Sequence, residues 1–151
     1  MRLSRKSREE KVGIIRMATN KILTYVDSSV LINAIVGANA ARKMRALSVL
    51  GDPSRDFAAT RYLTLEVIPL PTKFQRAREL KFYERFFDIV TVWVDEMPLI
   101  PSAITLACQY GLGAIDALHL AAASTVNAEF ISAEKPTKPL YTAYQQASSI
   151  Y

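Results

Sequence analysis

The stretch TYVDSSVLINAIV, from Thr24 to Val36, sets one carboxylate, Asp27, between an apolar strand-like run and an apolar helix-like run. A strand passing directly into a helix opens a βα unit, and the fold is decided by whether that pattern recurs. Short runs rich in β-branched or aromatic residues do recur, at KILTYV (21–26), DFAAT (56–60), TVWV (91–94), AEFIS (128–132) and SSIY (148–151). Helix-like segments lie between them. VLINAIVG (30–37) and AARKMRALSVLG (40–51) both close on glycine, and TKFQRARELKFYERFF (72–87), SAITLACQYG (102–111) and AIDALHLAAAST (114–125) follow. Strands separated by helices need crossover connections, which produce a mostly parallel sheet with helices on both faces. The sequence thus predicts a three-layer α/β/α domain around a sheet of four to five strands. Such sheets bind ligands outside the carboxyl ends of their strands, where the strand order reverses. Asp27 follows the first strand.

A chain of 151 residues, half of them hydrophobic, has material for one compact core, so residues 17–151 are expected to form a single domain. Residues 1–16, MRLSRKSREEKVGIIR, hold six Lys/Arg against two Glu. The chain has 19 basic and 14 acidic residues in all, which leaves 13 against 12 for the remainder. The net charge of +5 therefore belongs mostly to this basic extension. With Met17 placed just before the first strand, the extension reads as a dispensable segment, either an upstream mis-start or a loosely held basic helix. The one cysteine, Cys108, cannot form an internal disulfide, and no signal-peptide pattern precedes the first strand. The apolar runs are too short to span a bilayer, so a cytoplasmic protein without membrane contact is expected.

Two further carboxylates share the apolar setting of Asp27. Glu66 lies in LTLEVIPLP, and Asp116 in GAIDALHLAAAS, a helix apolar nearly all round and expected to be buried. Asp52 and Asp56 sit in a turn-like GDPSRD, while Glu79 and Glu84 alternate with Lys and Arg on a face expected to be solvated. Removing an unpaired charge from water costs several kcal/mol, against a net stability of about 5–15 kcal/mol for a domain. Each acid can be compensated separately, Asp27 and Asp116 by helix N-termini and Glu66 by Arg61. Alternatively, all converge on one cation. Oxygen ligands of this kind suit a hard ion, Mg²⁺ or Mn²⁺.

Other chemistries lack their residues. One histidine and one cysteine cannot build a zinc site of the His/Cys type, and neither a G-x-S-x-G elbow nor a Walker-type loop is present. His119, one turn after Asp116, reads as a packing histidine, and Cys108 as a small core residue. Arg78, Lys81 and Arg85 share a helix face, and Arg42, Lys43 and Arg45 cluster in the helix before it. Either group can follow RNA phosphates, meet a partner or simply be solvated. A hydrophobic fraction this high in a small domain also predicts an apolar surface buried in a dimer or against a partner.

YVDSSVLINAIV, TLEV, AIDALHLAAAS and AEFISAEK, in that order, resemble the ordered signature of PIN-domain ribonucleases, especially the VapC-type toxin branch. The similarity runs from about Ile22 onward, and DALHLAAA is its most specific piece. The resemblance implies that Asp27, Glu66 and Asp116 coordinate one or two Mg²⁺ or Mn²⁺ ions at the end of a parallel sheet. The fourth acid of the family falls on Glu134, with Ser132 in the hydroxyl position of a [ST]-x-D pattern. Glutamate's extra methylene moves the carboxylate outward, so it binds metal directly, binds through water, or faces solvent beside Lys135. Ser28 and Ser29 fit both as helix caps and as hydrogen-bond partners of the carboxylates. The implied activity is metal-dependent endonucleolytic cleavage of RNA, in tRNA or ribosomal RNA, by a homodimeric toxin with a cognate antitoxin. The alternative is a decayed PIN-like scaffold that binds RNA or protein.

Overall fold

The computed structural model describes residues 20–151; the basic extension, residues 1–16, lies outside them. Strand β1 (Ile22–Val26) leads into α1 (Ser28–Val36) and α2 (Ala40–Leu50). Then come β2 (Arg55–Ala59), α3 (Arg61–Val67), α4 (Pro69–Lys73), α5 (Ala77–Ile89) and β3 (Val90–Trp93). A 3₁₀ turn (Met97–Leu99) precedes α6 (Ile100–Tyr110), α7 (Ala114–Thr125), β4 (Glu129–Ser132), α8 (Leu140–Ala143) and β5 (Ala147–Ser149). The strands form one sheet in the order β3-β2-β1-β4-β5, with every pairing parallel. The strand order reverses at β1, whose neighbours are β2 on one side and β4 on the other.

The period-2 alternation of strand side chains divides the core between the two faces. Tyr25, Ala58 and Phe130 point to one face, where Leu118, Leu120 and Ala121 of α7 cover them. Val26, Phe57, Ala59 and Ile131 point to the other, packed by Val30 and Leu31 of α1, Leu63 of α3 and Phe86 of α5. Both faces of the central strands are buried, which requires the helix layers that the sequence predicts. Among the described residues no single helix is long and apolar enough to cross a membrane.

The predicted helix over 72–87 is two helices. Gln75 takes φ 52° between α4 and α5, and Pro69 and Pro71 begin the first of them earlier. The short helix α3, which carries Glu66, has no counterpart in the sequence reading. Glu79 is not solvated. It is 9% exposed, accepts a 3.0 Å bond from the Tyr83 hydroxyl and pairs with Arg76 at 3.5 Å. Cys108 lies exposed on α6 rather than in the core.

Candidate active site

Asp27 occupies the first position after β1 and is the N-cap of α1. Its Oδ1 accepts the Ser29 backbone N–H at 3.0 Å and also the Ser29 hydroxyl, while its own N–H donates to Ile131 of β4 at 3.2 Å. Ser29 Oγ in turn accepts the Ala133 N–H at 2.8 Å and stands 3.3 Å from Ser132 Oγ, which accepts the Glu134 N–H at 3.1 Å. The end of β1, the start of α1 and the end of β4 are therefore joined at the point where the strand order reverses. Asp27 is buried there, and burial raises its carboxyl above the ordinary range. Hydrogen bonds from Ser132 and Ser29 only partly offset that rise.

Glu66 reaches the same place from α3. Its Oε1 accepts the Ser28 hydroxyl at 3.0 Å, and its Oε2 lies 2.5 Å from His119 Nε2. Arg61 is not its partner. That guanidinium forms an ion pair with Glu96 at 2.9 Å, and Glu96 also accepts the Arg61 backbone N–H. Asp116 lies in the first turn of α7 and is exposed, so it stands at the mouth of the crevice rather than in the core. Partial desolvation raises its carboxyl above the usual range, Glu134 and Glu66 add to the rise, and Lys138 opposes it. Glu134, half-buried after β4, is held through its main chain, its carbonyl accepting the Tyr141 and Ser149 hydroxyls at 2.8 and 2.6 Å.

His119, expected only to pack, is bonded through both ring nitrogens. Nδ1 lies 2.6 Å from the Tyr25 hydroxyl, which is 2.9 Å from Thr60 Oγ1. Burial pushes the Tyr25 phenol up, so the hydroxyl keeps its proton. The sequence offered a signal for this in a lone imidazole three positions after Asp116, on the same helix face. It offered none for the tyrosine.

The donor set at this edge is carboxylate oxygen throughout, with charge that burial and mutual repulsion leave undercompensated, and that chemistry fits a hard divalent cation. Among the described residues no group of three or more His, Cys, Asp or Glu side chains is arranged as a cage around one point. The Asp27 and Glu66 carboxylates are engaged instead by Ser28, Ser29 and His119.

The chain resembles known proteins in the same region. Its fold is similar to a toxin-antitoxin complex from Klebsiella pneumoniae, with a TM-score of 0.63 and 16% identity over 85% of this chain and 98% of that one. It is also similar to a crystal structure of a protein from Pyrobaculum aerophilum, with a TM-score of 0.58 and 13% identity over 86% and 92%. No curated protein matches the sequence. The model of the PIN domain matches residues 24–136, a span that holds Asp27, Glu66, Asp116 and Glu134, and the chain belongs to the PIN domain family, whose members are generally nucleases.

Proposed function

We propose that this PIN domain is a Mg²⁺- or Mn²⁺-dependent endoribonuclease, the VapC-type toxin of a toxin–antitoxin pair, acting as a cytoplasmic homodimer. The observation that carries the reading is that Asp27 and Glu66 are bonded to the adjacent Ser29 and Ser28 where the strand order reverses, with Glu66 and Glu134 near enough to Asp116 for their charges to act on it. There the Asp27 and Asp116 carboxyls are raised by burial. An antitoxin partner is supported by the similar fold of a toxin-antitoxin complex.

Asp27, Glu66 and Asp116 would hold the ion, with Glu134 as a fourth ligand. When bound, the cation supplies positive charge against the scissile phosphate and acidifies an attacking water. The chain's own residues set the geometry. Ser29 fixes Asp27 by two bonds to one oxygen, and Ser28 holds one edge of Glu66. The exposed position of Asp116 lets a phosphodiester approach from solvent. The hydrogen-bonded arrangement of the acids also suits the second reading, a scaffold that has lost catalysis.

Purified protein is expected to cleave tRNA or ribosomal RNA only with Mg²⁺ or Mn²⁺. Asp27→Asn should abolish cleavage with the fold intact, because an amide lacks the charge that holds the ion. Glu134→Gln should lower activity on the order of a hundredfold if Glu134 is a ligand, the scale expected for loss of an electrostatic stabiliser. Wild-type protein that binds no divalent ion and cuts none of these RNAs would establish the scaffold instead.

A further inference from the structure

Glu66 has both carboxylate oxygens engaged by side chains, Ser28 on Oε1 and His119 on Oε2. An ionised carboxylate only accepts, so Nε2 of His119 must carry the hydrogen. With one proton on the ring, the remaining donors fall into one order. Thr60 donates to the Tyr25 oxygen, Tyr25 donates to Nδ1 of His119, and His119 donates to Glu66, at 2.9, 2.6 and 2.5 Å. Every polar atom along this line is matched, although the residues lie 35, 94 and 53 positions apart in the sequence. His119 is 1% exposed, so its ring cannot turn to water for either bond.

We infer that His119 is a positioning residue for the proposed reaction, aiming the Glu66 carboxylate from α7 while Asp116 reaches the crevice from the preceding turn of that helix. The inference rests on the reading of Glu66 as an ion ligand. One helix then fixes the spacing between two carboxylates that belong to different elements, Asp116 by its own backbone and Glu66 by a hydrogen bond from a ring that Tyr25 locks in place. Each Glu66 oxygen accepts one such bond and keeps a second lone pair for the cation. Hydrogen-bonded partners that orient a ligand in this way are typically worth about 10–100-fold in metal affinity or activity.

The test compares His119→Leu with His119→Gln, whose amide nitrogen restores a donor close to the Nε2 position. The readouts are Mn²⁺ affinity by titration calorimetry on RNA-free protein, and kcat and KM on RNA, with circular dichroism confirming the fold. His119→Leu should bind Mn²⁺ about 10–100-fold more weakly and lose kcat by a similar factor with KM little changed, and His119→Gln should recover most of both. A folded His119→Leu with wild-type Mn²⁺ affinity and kcat overturns the inference, as does a His119→Gln as impaired as the leucine variant. Where His119→Leu does not fold, Tyr25→Phe decides, since it removes the hydroxyl that orients the ring. Weaker Mn²⁺ binding there supports the role, and unchanged binding overturns it. Wild-type protein that binds no Mn²⁺ overturns the ligand reading and this one together, which separates that failure from a failure of His119 alone.

Discussion

The ionised form of Asp27 is the strained form, since burial raises its pKa from the ordinary 3.8 and the bonds from Ser132 and Ser29 do not bring it back. Asp116 is raised in the same direction, its neighbours Glu134 and Glu66 contributing. A carboxyl whose folded pKa lies above its unfolded value binds its proton more tightly in the native state. The stability it contributes is complete below the unfolded value, near 3.8, and is lost as pH rises through the folded value. Metal-free protein is therefore expected to melt at a lower temperature at neutral pH than in mild acid, and Asp27→Asn should flatten that slope. Glu96 runs the other way, its carboxyl lowered chiefly by the hydrogen bond from Arg61, so its contribution disappears only as pH falls below the usual glutamate range. Melting curves recorded with a chelator across this window make the check, and parallel profiles for wild type and Asp27→Asn would contradict it. Added Mn²⁺ should raise the melting temperature at neutral pH, because an ion that binds only the native state stabilises it by mass action.

Helix α3 illustrates what a sequence hides. It has seven residues, and Thr60 at its N-cap makes no side-chain cap bond. The cap comes instead from Glu96, 35 positions away, which accepts the Arg61 N–H. Glu96 is 6% exposed, whereas the Arg61 side chain is 80% exposed. Glu96→Ala is accordingly expected to destabilise the fold by about 1–2 kcal/mol through lost capping, while Arg61→Ala should change urea stability far less. Equal effects of the two would locate the stability in the ion pair rather than in the cap. Glycine-closed helices and the β1–α1 junction were legible because their signals are local: Gly51 accounts for the end of α2, and α7 spans the predicted residues, 114–125. The break at Gln75 was not, since nothing about a glutamine announces a positive φ. Asp27, Glu66 and Asp116 stood out as charges in apolar company. The buried states of Glu79 and Glu96, and the bond between His119 and Tyr25, depend on residues that only the closed fold brings together.

Across the whole molecule, one of the basic groups seen in the sequence lines a groove of about 360 Å³ together with a single member of the other, Lys43 of α2 facing Arg78, Lys81 and Arg85 of α5 over Ile35 and Phe82. Among the described residues these four form no salt bridge, whereas Arg55, Arg61 and Arg76 all do. If the groove carries RNA phosphates, as the proposed activity requires of some surface, Arg78→Gln with Arg85→Gln should weaken RNA binding. It should also shallow the dependence of log affinity on log salt by roughly 0.7 for each phosphate that is no longer neutralised. An unchanged salt slope would mark the groove as a solvated face. The parallel sheet has a further consequence, in the order of synthesis. β1 is the first described strand to be made and lies at the centre, but its neighbour β4 comes 103 residues after Ser29, counted to Ser132, whose hydroxyl stands beside that of Ser29. A ribosome must therefore deliver β4 before Asp27 and Ser29 gain their contacts with Ile131 and Ser132, and a shorter polypeptide carries the acids without that tie.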